Sequence, residues 1–178
     1  MTTEQLDAAV AEIAAVMKKA GLVWLQWDGR RAVPAWFATV DGSYVVLADS
    51  SGAEEQPLPG LAESGAAEVV VPAKPATSRL ASWSAKVRRL EPGSEEWLAA
   101  AQVLRTERLN ASKLDTQLER LMTEAELLVL EPTGHLTEAP GRYDDSPRAQ
   151  APVESPATTR GKRPITLHRR SRRRPGLT

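Results

Sequence analysis

Basic and aromatic side chains are the groups through which this sequence would have to do chemistry. It contains no Cys and two His, His135 and His168. That excludes a disulfide framework, a thiolate zinc site, an iron–sulfur cluster and a cysteine nucleophile. It also leaves a His-rich metal site or a Ser–His–Asp triad short of parts, so no metal is expected. What remains is a basic concentration (Lys74, Arg79, Lys86, Arg88, Arg89), the adjacent Arg30 and Arg31, and the trio Trp24, Trp27 and Trp36. The cations suit a phosphate-bearing ligand, and flat aromatic faces suit flat ligands. Each also has a structural role open to it. The tryptophans can be barrel core or dimer interface, Arg31 a solvated residue after a turn, and the basic strand a charged face that blunts edge-to-edge pairing. Asp28 and Asp41, each followed by Gly, read as turn residues and not as catalytic acids.

The formal net charge of zero hides a split. Residues 160–178 carry eight basic residues and no acid, which leaves 15 basic against 23 acidic residues before them. An acidic body with a basic tail is the result. The tail has no aromatic interleaving, so binding to nucleic acid, ribosome or anionic lipid through it would be independent of sequence. Otherwise it is solvated or pairs weakly with its own body. No window reaches about 18 apolar residues, so no helix is expected to span a membrane. The first residues have neither the basic nor the apolar region of a signal peptide. The expected location is the cytoplasm.

Positioning these residues requires regular elements. Thr2 and Gln5 have capping-box spacing, and Leu6, Val10, Ile13 and Met17 fall on one face, which predicts a helix over 3–20. Strands follow at Leu22–Trp27, Arg31–Val40 and Tyr44–Ala48. They are joined by Asp28-Gly29 and Asp41-Gly42, the strongest short-range hairpin signal, which predicts an antiparallel meander. Pro34 lacks an N–H, so its strand belongs at an edge or a bulge. After a polar connection over 49–66 come strands at Glu68–Val71 and Ser78–Leu90. Ser94 caps a helix with Glu95 and Glu96 in its first turn, ending near Asn110. A helical segment Ser112–Met122 and a strand Glu126–Leu130, stopped by Pro132, complete the pattern. All five Trp precede residue 98, and seven of the 13 Pro lie from Pro132 onward. The expected domain is therefore 1–131, followed by a Pro-rich disordered linker over 132–159 and a basic disordered tail over 160–178. The class is mainly β with flanking helices, an α+β fold built on a small closed or half-closed barrel.

Arg31-Ala32-Val33-Pro34-Ala35-Trp36-Phe37, the following Gly42–Leu47, the Ser78-Arg79-Leu80 strand and the Glu95-Glu96-Trp97 helix give the chain a resemblance to a family. It resembles the pyridoxamine 5′-phosphate oxidase-like FMN-binding split β-barrels, in particular their small actinobacterial members. The resemblance covers roughly residues 5–131 and implies a six-stranded antiparallel split barrel. It also implies a homodimer with flavin at the subunit interface and an oxidoreductase using FMN, or a deazaflavin or haem ligand in some relatives. It further implies that Arg31, Val33, Pro34 and Trp36 lie along the flavin and that Ser50 and Ser51 approach its phosphate. Arg79 is the remaining cofactor-binding candidate; no catalytic residue or substrate is identified. Flavin-binding relatives place a Lys or Arg shortly after the third strand. This chain has Ser50-Ser51-Gly52-Ala53-Glu54-Glu55 there, and two carboxylates disfavour a phosphate. That departure motivates the alternative of a cofactor-less binding module whose basic tail contacts an anionic partner.

Overall fold

Thr2 opens the first helix as its spacing predicts. In the computed structural model, which describes residues 2–49, 56–73, 79–107 and 125–144, the Gln5 N–H donates to Thr2 Oγ1 at 3.3 Å. The Thr2 N–H donates in return to Gln5 Oε1 at 2.9 Å. Helix α1 (Thr3–Met17) buries Ile13, Val16 and Met17. Val10, expected on the same face, is 37% exposed, and no residue of the helix before Ile13 is buried.

Both Asp-Gly reversals form. Asp28, Gly29, Asp41 and Gly42 all take positive φ (49°, 66°, 47° and 83°), the left-handed geometry that matches the twist of a hairpin. Strand β1 (Val23–Gln26) pairs antiparallel with β2 (Val33–Ala35), and β3 (Ala38–Val40) pairs with β4 (Ser43–Asp49) across Asp41-Gly42. The meander expected from these turns does not form. The strand predicted over 31–40 breaks at Trp36-Phe37 into β2 and β3, and the two halves part company. Helix α2 (Leu61–Ser64), β5 (Ala66–Pro72), β6 (Arg79–Arg89), helix α3 (Glu95–Glu107) and β7 (Ala125–Glu138) follow. The sheet order is β2-β1-β5-β6-β7-β4-β3.

That order puts β2 and β3 at opposite edges of one seven-stranded sheet. Flat, those edges would stand about 29 Å apart at ordinary strand spacing. Yet Ala35 and Ala38 are three residues apart, a span of at most about 11 Å. The sheet must therefore curl until its edges nearly meet, giving an α+β half-barrel. It has seven strands, not six, because the strand that would close a six-stranded barrel is interrupted at the seam. Pro34 sits on edge strand β2, where its missing N–H costs nothing.

At the seam a side chain does the work of a neighbouring strand. The Trp36 N–H donates to Gln56 Oε1 at 3.0 Å, and Gln56 Nε2 donates to the Trp36 carbonyl at 3.1 Å. Replacing Gln56 by Leu, which has similar volume and no polar atoms, removes both bonds. The expected cost is about 1–3 kcal/mol, measured by urea denaturation; an unchanged midpoint would show that the seam holds without them.

Curling creates two apolar clusters. Ile13, Val16 and Met17 of α1 pack inside the curl with Val23, Leu25, Val69, Val71, Trp83, Leu128 and Leu130. Outside it, Trp97, Ala100, Ala101 and Leu104 of α3 pack on Val40, Val45, Leu47, Leu127 and Val129. Strands β4 and β7 lie between the clusters, so Tyr44–Ala48 and Leu127–Leu130 are buried on both faces. This accounts for their unbroken apolar runs.

The strand expected to end at Pro132 continues to Glu138. Pairing with β6 shifts there: Ala85 faces Pro132 while Trp83 faces Leu136. Gly134 takes φ 78° inside this irregularity. A bulge absorbs a proline that a regular central strand would exclude. The predicted helix over 112–122, most of the residues assigned to the linker, and the tail lie outside the described residues. No described helix is long and apolar enough to cross a membrane.

Candidate functional site

The outer surface of the sheet is treated differently at its two sides. Helix α3 covers β3, β4 and β7. Across β2, β1 and β5 no described helix lies on the outer face, and a strip of apolar side chains remains in solvent. Trp24 pairs with Pro34 on one side and Val70 on the other. Trp24 is 39% exposed, Pro34 is exposed and Val70 is half-buried. The alternation of β1 dictates this, because Val23 and Leu25 point into the core and leave Trp24 and Gln26 outside.

The residues singled out by sequence are spread over this region and beyond it. Arg31 is exposed beside the β1–β2 turn, without an ion pair among the described residues. Pro34 faces out, whereas Val33 packs against the inner cluster. Val33 and Pro34 therefore lie on opposite faces of β2. Trp36, at the seam, packs against the outer cluster beneath α3. Ser50 and Ser51, like Lys74, lie outside the described residues.

Arg79 stands at the far end of the same sheet face. The register runs Pro34, Trp24, Val70, Ser82, Glu138 across five strands, so Glu138 lies about 19 Å from Pro34 measured along the curved sheet. Arg79 is engaged there. Its guanidinium forms an ion pair with Glu138, whose side chain is fully buried, and donates to the Asp144 carbonyl at 2.9 Å. Ser82 Oγ donates to Oε2 of the same carboxylate at 3.3 Å.

The rest of the basic concentration is also largely spoken for. Arg88 donates to Glu131 at 2.8 Å and to both oxygens of Glu96 at 2.7 and 3.0 Å. Its hydrogen bonds hold the Glu96 carboxyl below the ordinary carboxylate range. Arg89 pairs with Glu63 and Glu126 at 2.9 and 3.0 Å. Lys86 opens instead onto a shallow cleft of about 570 Å³ with Gln26, Asp28, Glu68, Ser84 and Thr133. Ser64 Oγ donates to Asp28 Oδ1 at 2.9 Å on its rim, so Asp28 both turns the chain and anchors α2. Sequence alone did not join these cleft residues. They come from four strands, the Asp28 turn and α2, and only the sheet order makes them neighbours.

What the geometry offers is therefore an exposed apolar strip, centred on an indole, with a cation near its end. An apolar wall of that kind takes a flat ligand face, and Arg31 can meet an anionic group on the same ligand.

No family model matches the sequence, and no curated protein matches it. Among solved structures the chain is similar to HutZ, the heme storage protein from Vibrio cholerae, at 20% identity over 71% of this chain and 91% of that one, with a TM-score of 0.47. It is similar to the FAD and heme binding protein from Mycobacterium smegmatis at 20% identity over 90% of each chain, with a TM-score of 0.44. It is likewise similar to the flavocytochrome Anf3 from Azotobacter vinelandii at 14% identity, covering 87% and 85%, with a TM-score of 0.39.

Proposed function

We propose that this chain is a flavin-binding half-barrel protein, pyridoxamine 5′-phosphate oxidase-like, that holds FMN against the outer face of β2 and β1. The observation that carries this reading is the exposed Trp24, aligned between Pro34 and Val70 on the side of the sheet without a described helix. Two faces of one flat ligand have to be satisfied, apolar ring and charged phosphate, and the strip and Arg31 supply both kinds of contact. The residues described so far thus fit the group. A bound flavin would supply hydride transfer; the chain would supply orientation, shelter from water and a counter-charge. A homodimer would close the open side of the strip.

The test is the absorbance spectrum of the purified protein, with mass spectrometry of any small molecule it carries. Oxidised-flavin bands and an FMN mass are expected, and Arg31→Gln weakens FMN binding about tenfold through loss of one charge-assisted contact. Colourless protein that binds neither added FMN nor a deazaflavin would overturn the reading. In that event the basic run becomes the working part. Replacing Arg169, Arg170, Arg172, Arg173 and Arg174 by Gln would then abolish retention of nucleic acid or anionic vesicles by the full chain.

A further inference from the structure

Two hydrogen-bond donors stand side by side next to Gly60. Trp27 directly follows β1 and is 3% exposed, and its Nε1–H is buried with no hydrogen-bond partner. Arg30 follows three residues later, its amide bonded to the Trp27 carbonyl at 2.9 Å, which fixes the turn that carries both side chains. The guanidinium of Arg30 has no ion pair among the described residues. Gly60 faces them from the segment before α2. The position its Cβ would occupy lies 3.6 Å from Arg30 Nη2 and 3.8 Å from Trp27 Nε1. Gly60 takes φ 80°, a conformation that favours glycine, so no side chain of that residue stands against the two donors.

A buried indole N–H without an acceptor is unfavourable, and an indole can only donate. A guanidinium too can only donate. No acceptor side chain of the described residues reaches either group. The shared need of both is an acceptor, and the cation makes a negatively charged one the better match. We propose that Trp27 and Arg30, beside the backbone of Gly60, form a binding site for a small oxyanion, of the phosphate or carboxylate class. The site does not depend on the flavin reading and requires no flavin.

The experiment uses the full chain and inorganic phosphate. In ¹H–¹⁵N spectra the five tryptophans give separate indole signals, and the one lost in Trp27→Phe is that of Trp27. Phosphate added at constant ionic strength against chloride should move the Trp27 indole signal along a saturable curve. Arg30→Gln, at an exposed position outside the core, should weaken that binding about tenfold or more, and Arg30→Lys should restore part of it. Acetate in place of phosphate separates the two oxyanion classes, and saturation with either supports the site. A Trp27 signal that stays still, that moves equally with chloride, or that saturates unchanged in Arg30→Gln overturns it.

Discussion

Replacing Trp83 by Ala is expected to remove about 3–5 kcal/mol of stability, a large share of the roughly 5–15 kcal/mol that holds an ordinary domain together. Trp83 is fully buried on β6, the strand between β5 and β7. Its ring centroid lies 5.7 Å from that of Tyr44, which in turn makes a T-shaped pair with Phe37 at 5.9 Å. The three rings thus link the middle of the sheet to β4 and to the seam. Burial by these neighbours also raises the Tyr44 pKa, since the phenolate would be poorly solvated. Truncation leaves a cavity between strands that pair with neighbours on both sides and cannot easily close on it. Trp83→Phe should behave differently. The Trp83 Nε1–H is buried without a partner, so its removal sacrifices no hydrogen bond and relieves a desolvated donor. The loss expected for Phe is about 1 kcal/mol, the smaller ring volume being offset by the removed N–H. Urea denaturation of both variants checks the pair of values. A Phe variant as damaged as the Ala variant would show that the indole nitrogen does have a partner.

How much of this architecture could be read from sequence depends on the range of the interaction concerned. The Thr2–Gln5 cap, the Asp41-Gly42 turn and the edge position of Pro34 are settled within a few residues, and each appears where its local chemistry requires. The interruption at Trp36-Phe37 is not local. The backbone can leave the ladder there because Gln56, twenty residues further on, provides a donor and an acceptor. Nothing in the residues around 36 announces that. Pro132 reads as a stop because a regular ladder cannot accept it, and only its pairing with β6 reveals the bulge. The candidate site divides in the same way. Alternation shows that Trp24 and Val70 share a parity within their strands, but the sheet order is needed to place them side by side. It is also needed to show that Arg79 faces Glu138, fifty-nine residues away. A periodicity identifies the face of a strand and is silent about the partner across from it.

That pairing leads to the second large effect. Arg79→Met should destabilise the protein by about 3–5 kcal/mol, because it strands a buried carboxylate without its cation. Arg79→Met combined with Glu138→Leu should recover most of the loss, since two apolar side chains of similar size need neither charge nor solvation there. The four proteins form a double-mutant cycle, and the expected coupling is well above the few tenths of a kcal/mol seen between independent sites. Stability changes that simply add would mean the ion pair contributes little. The cycle also separates structure from ligand binding. Arg79 reads from sequence as a cofactor contact, yet its guanidinium is spent on Glu138 and on the Asp144 carbonyl. Those contacts tie β6 to the end of β7, where Tyr143 Oη donates to the Leu80 carbonyl at 3.0 Å and Arg142 pairs with Glu12 of α1 at 3.0 Å. If Arg79 serves the closure of the half-barrel, the stable double variant retains FMN affinity while lacking the arginine altogether. If Arg79 instead meets a phosphate, restored stability is accompanied by lost affinity. Fluorescence titration of the double variant with FMN separates the two roles.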